Sequence, residues 1–102
     1  MKIDMKFEQI TKELNELYAK KNLAYGDSFS DTFQRFGIIS AVTRIADKFN
    51  RLANLVVNKG INNLGESIED TLLDLASYCI MTIMELRKRR NNNSNDGCFD
   101  SE

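Results

Sequence analysis

The stretch ESIEDTLLDLASY, residues 66–78, decides how this chain is read. Glu66, Asp70 and Asp74 fall four residues apart. On a helix that spacing puts all three on one stripe. The same stripe continues through Ser77, Met81 and Met84, which are mostly apolar. A solvated face would stay polar, so this one is expected to look into a second layer of protein around a site. The helix is expected from near Glu66 to near Arg90. Ile68, Leu72, Leu75, Cys79, Ile83 and Leu86 form its main apolar stripe, with Leu73, Ile80, Met81 and Met84 opposite. A helix apolar nearly all round is buried on more than one side. Three helices in one chain rarely enclose a helix, so a dimer or larger homo-oligomer is expected, with helix 66–90 near the interface.

Working outward, a first helix is expected over about Asp4–Lys21. Ile3, Phe7, Ile10, Leu14 and Leu17 recur at steps of four and three, and Asp4 is placed to cap it. The segment NLAYGDSFSDTFQRFG, residues 22–37, breaks the pattern. Gly26 and Asp27 mark a turn, and Ser30 or Asp31 is placed to cap a short helical turn ending near Gly37. Its aromatics, Tyr25, Phe29, Phe33 and Phe36, either plug the end of a bundle or offer one ring, Tyr25 first, to a flat ligand. A second long helix is expected from Ile38 to about Asn58, with Gly60 just past its end. Ile38, Val42, Ile45, Phe49, Leu52 and Val56 form its core stripe. Arg44, Asp47, Lys48 and Arg51 form another stripe, centred roughly 130° away at 100° per residue. The polar segment NNNSNDGCFDSE, from Asn91, is expected to be disordered. The fold class is therefore all-α. A small bundle of three main helices and a short helical turn spans residues 1–90, followed by a tail at 91–102.

Composition narrows the chemistry. The 102 residues allow one domain with one modest core. The net charge of −1 gives no electrostatic reason for a nucleic-acid partner. No apolar run is long enough to span a membrane, and MKIDMKFEQI lacks the apolar centre of a signal peptide. Two cysteines, Cys79 in a helix and Cys98 in the tail, fit a reduced cytoplasm. With no histidine, Ser-His and Cys-His dyads and histidine metal sites are excluded. A metal would be held by carboxylates, which favours Mg²⁺ or Mn²⁺.

Three constellations carry possible chemistry. In the acidic stripe, the helix macrodipole accounts for Glu66, Glu69 and Asp70 in the first turns but poorly for Asp74, two turns in. The alternative is a cation or a set of basic side chains that neutralises the stripe. The basic stripe of the second helix is either a solvated face with internal pairs or a phosphate cradle of Arg44, Lys48 and Arg51. The run RKRR, Arg87–Arg90, is either a nucleic-acid or membrane-surface patch or, as is commoner, a run that suits the negative end of a helix and solubilises a tail.

Three segments, KKNLAYGDSF, GIISAVTRIADKFNRLANLV and ESIEDTLLDLASYCI, together resemble the nucleotide modification associated domain family, over roughly Lys20 to Met84. This is a small helical family frequent in phage and bacterial genomes. It is itself similar to the all-α nucleoside-triphosphate pyrophosphohydrolases, helical oligomers that bind Mg²⁺ through acids on two adjacent helices. The resemblance implies two readings. In the first, a nucleotide-binding protein does not turn its ligand over. Arg44, Lys48, Arg51 and Lys21 grip phosphates and Tyr25 stacks on a base. In a phage setting such a protein would sequester a second messenger of host defence in the host cytoplasm. In the second, a Mg²⁺-dependent pyrophosphohydrolase holds its metal on Glu66, Asp70, Asp74 and Asp47, and Asp70 or Glu66 positions the attacking water. The first acidic element of those enzymes is nearly missing here, since the second helix offers Asp47 alone among basic residues. A third possibility is a structural oligomer whose charged stripes are interhelical salt bridges.

Overall fold

The computed structural model describes residues 4–58 and 64–93. They form four helices and no strand: α1 (Met5–Tyr25), α2 (Ser28–Phe36), α3 (Ile38–Val57) and α4 (Leu64–Asn93). Asp4 caps α1 as its position predicts, its side chain accepting from the backbone N–H of Lys6 at 2.9 Å and of Phe7 at 3.3 Å. The remaining boundaries differ from expectation in detail. α1 runs one turn beyond Lys21. The expected short turn is a full helix that starts at Ser28, so neither Ser30 nor Asp31 caps it. α4 continues three residues past Arg90. Gly60 and residues 94–102 of the polar tail lie outside the described residues.

Two glycines make the tight corners possible. Gly26 (φ 68°, ψ −151°) ends α1 and Gly37 (φ 79°, ψ −166°) separates α2 from α3. Both occupy backbone space that is essentially closed to other residues. Each donates its N–H back into the helix it ends, to the carbonyl of Asn22 at 2.8 Å and of Phe33 at 2.7 Å.

The main correction concerns which faces meet. Arg51 reaches Thr71, Lys48 reaches Asp74, and Arg44 lies over the ring of Tyr78. Rising numbers on α3 match falling numbers on α4, so the two helices run antiparallel. It is the basic stripe of α3, with fully buried Ala41, that faces α4. The stripe read as its core is open: Ile38, Val42, Phe49 and Val56 are each 44–58% exposed, and Ile45 and Leu52 are half-buried. On α4, Leu72, Cys79 and Ile83 of the supposed main core stripe are likewise exposed, and Ile68, Leu75 and Leu86 are half-buried. The physical reason is local. The polar stripe of α3 finds a hydroxyl, a carboxylate and an aromatic ring on α4, whereas an apolar stripe can be covered by any apolar surface, including another chain.

Apolar burial within the chain is correspondingly small. Among the described residues, only Leu14, Phe33 and Ala41 are buried apolar residues. α1 packs on α4 from its middle onward, where Leu14 is buried, while Phe7 and Ile10 nearer its start stay exposed.

Candidate functional site

The stripe Thr71–Asp74–Tyr78 on α4 faces α3, and Asp74 organises it. Lys21 of α1 donates to Asp74 Oδ1 and Lys48 of α3 to Oδ2, both at 3.1 Å. Three helices therefore meet on one carboxylate. Burial alone would raise the pKa of Asp74; the hydrogen bonds and positive charges of Lys21 and Lys48 outweigh it and hold the carboxyl below the ordinary aspartate value.

Beside this triad lies a cavity of about 510 Å³ between α1, the start of α2 and α4. Lys21, Arg44 and Asp74 contribute charge to its wall; Asn22, Ser28 and Ser77 contribute hydrogen-bonding groups; Tyr18, Phe29 and Tyr78 contribute rings. Phe29 stacks on Tyr78 with centroids 5.9 Å apart and planes inclined by 24°. The Arg44 guanidinium sits 6.0 Å from the centre of the Tyr78 ring, at the outer limit of a cation–π contact. A size of this order falls in the range of small-molecule pockets.

The structure brings together only some of the candidates named from sequence. Lys21, Arg44 and Asp74 share the cavity, and Lys48 joins them through Asp74. Arg51 sits one turn further along α3, its Nε donating to Thr71 Oγ1 at 3.3 Å. Tyr25 closes α1, and its side chain lies outside the described residues, as does that of Glu66. Of the four metal candidates, Asp47, Asp70 and Asp74 have described side chains. Asp70 and Asp47 are exposed, Asp74 is held by two ammonium groups, and among the described residues no group of three acids is close enough to hold a metal. Sequence reasoning missed Tyr18, Asn22 and Tyr78. The last had a signal, since steps of three and four from Thr71 through Asp74 lead to it.

A second polar cluster lies further along α4. Glu85, 7% exposed at its side chain, accepts from Ser30 of α2 at 3.0 Å and pairs with Lys88 at 2.9 Å. Lys88 and Gln34 also approach the Ser30 hydroxyl, at 3.1 and 3.3 Å. The hydrogen bond to Glu85 holds the Lys88 pKa above its ordinary value.

The sequence profile of the family described as nucleotide modification associated domain 1 matches residues 21–86. The chain belongs to that family. The match begins at Lys21 and ends just past Glu85, so it takes in both ends of the Asp74 triad and both partners of the Ser30–Glu85 contact. No curated protein and no solved structure matches the chain. No described helix is long and apolar enough to cross a membrane.

Proposed function

We propose that this member of the family binds a phosphorylated, nucleotide-derived small molecule in the cavity beside Asp74 and releases it unchanged. One observation carries the reading: lysines from two different helices converge on one carboxylate at the edge of a cavity that also holds Arg44 and a stacked aromatic pair. Asp74 keeps two cations in place without ligand. A phosphate entering beside it recruits Lys21, Lys48 and Arg44 at little ordering cost. Tyr78 and Phe29 offer the flat apolar surface that a base requires. In this reading the protein acts in the cytoplasm, that of the host if it is phage-encoded, and sequesters a nucleotide signal. Its working form is a homo-oligomer, because α3 and α4 leave so much apolar surface open.

The Mg²⁺-dependent pyrophosphohydrolase is the competing reading. It needs carboxylates free to hold the ion, and the described residues do not supply such a set: Asp74 is already neutralised by two lysines. The test is calorimetric titration with nucleoside triphosphates, cyclic dinucleotides and ADP-ribose-type compounds, with and without Mg²⁺, followed by chromatography of the ligand. Binding without metal and recovery of intact ligand supports sequestration. Mg²⁺-dependent release of pyrophosphate, abolished by Asp70→Ala, replaces it with the hydrolase. No binding by any compound leaves the charged stripes as interhelical bridges.

A further inference from the structure

The largest feature that the cavity does not use is the apolar surface of α3 and α4. On α3, Ile38, Val42, Phe49 and Val56 lie along one line about 115° from the face that meets α4. On α4, the line through Leu72, Cys79 and Ile83 is rotated by a similar angle from Thr71–Asp74–Tyr78. The helices are antiparallel, so these two rotations carry both lines to the same side of the pair. They merge into one face, on the side away from α1. At about 1.5 Å per residue along the helices and about 10 Å per helix across, it measures roughly 27 by 20 Å. Allowing for side-chain relief, that is of the order of the 800 Å² or so each partner contributes to a standard protein interface.

The charges on its flank indicate what covers it. Glu69 and Arg87 are both exposed on the outer edge of α4 and stand eighteen residues apart, which is five full turns and the same azimuth. Midway between them is Tyr78, one residue from Cys79. A second α4 laid antiparallel across the first therefore brings each Glu69 to the Arg87 of the other copy, with the two Cys79 residues near the crossing. A surface that is complementary to itself under a half-turn is the signature of an isologous contact. We propose that this face binds a second copy of the chain, with a two-fold axis passing across α4 beside Cys79. The proposal deepens the homo-oligomer part of the function proposed above and does not depend on its ligand. The cavity lies on the opposite side of the α3–α4 layer, so each copy keeps a complete site and the copies join back to back.

The test is analytical ultracentrifugation of the full chain, with the binding titration run in parallel so that assembly and ligand are read separately. The wild type is expected at twice the 11.7 kDa chain mass or a multiple of it. Phe49→Asp should dissociate it. Glu69→Arg, on the surface, should weaken association about tenfold, and adding Arg87→Glu should restore most of the loss, since the half-turn repeats the exposed pair and both copies of it are lost and regained together. In a Cys98→Ser background, mild oxidation should link Cys79 to the Cys79 of the second copy. A monomeric wild type overturns the proposal. So does an assembly indifferent to both Phe49→Asp and Glu69→Arg. An assembly that needs Phe49 but ignores the charge exchange and leaves Cys79 unlinked overturns the antiparallel arrangement. Failure of every ligand to bind, with dimers intact, removes only the proposed function.

Discussion

Asp74 and Glu85 stand three turns apart on nearly the same face of α4, and each carboxylate is paired with lysine, yet their surroundings differ. Glu85 is buried, its lysine comes from the next turn of its own helix, and its other partner is a hydroxyl on α2. Asp74 is a quarter exposed and draws its lysines from α1 and α3, at the edge of a cavity. The first arrangement fastens α2 to α4, and the cavity of about 500 Å³ that it adjoins, lined also by Arg35 and Arg89, draws its charge from the same two helices. The second holds charge from separate helices where a ligand can reach it. The two carboxylates thus differ in where their cations come from and in how far solvent reaches them, and the proposed function rests on that difference.

Stability should separate the two most sharply. Glu85→Ala leaves the Ser30 hydroxyl buried without its acceptor and should cost about 2 kcal/mol, or on the order of 10 °C in melting temperature for a chain of this size. Asp74→Ala should cost clearly less, because solvent reaches its lysines. Equal losses in thermal melts would end the distinction. Ligand affinity should show the reverse ranking. Lys48→Ala is expected to weaken binding of whichever nucleotide the titration identifies by about ten- to a hundredfold, while Glu85→Gln leaves affinity within about twofold. Asp74→Asn sharpens the point further: under sequestration it should weaken binding less than Lys48→Ala does, because all three cations remain and only their ordering is lost, whereas a metal-dependent enzyme should lose turnover.

The effects of pH are smaller and differ in direction. The pKa of Asp74 is depressed in the folded chain. Its contribution is therefore complete above the ordinary aspartate value, about 4, and is lost as pH falls through the lower folded value. Melting temperatures recorded against pH should drop on that acid limb, and Asp74→Asn should flatten it. The pKa of Lys88 is raised, so its contribution is complete below about 10.4 and is lost as pH rises through the higher folded value. Lys88→Met should reduce that alkaline loss and leave the acid limb alone. A shared response of both limbs to either variant would mean that the two clusters act as one unit.

The helices were legible because their signals are local. The Asp4 cap, the glycines at 26 and 37, the apolar periodicity and the absence of proline act within a few residues of where they stand. The motif segments were legible too, and the family they resemble is the one the chain belongs to. Arg44, Lys48 and Asp74 could be named as site candidates because charged residues at helical spacing form stripes, and Lys21 because it falls in a segment that resembles the family. Their meeting could not be read from spacing, since Lys21 and Asp74 are 53 residues apart. Nor could Tyr18 or Asn22, which look like ordinary helix residues until α4 lies beside them.

What the sequence determined by itself was that α3 carries an apolar stripe and a basic one, and that α4 carries acids on a stripe that turns apolar. Only the tertiary structure decided that the basic stripe turns inward and the apolar one stays open. Periodicity fixes the angle between two faces of a helix but not the rotation of the helix about its axis. That rotation depends on what the neighbouring helix presents, and here α4 offered Thr71, Asp74 and Tyr78.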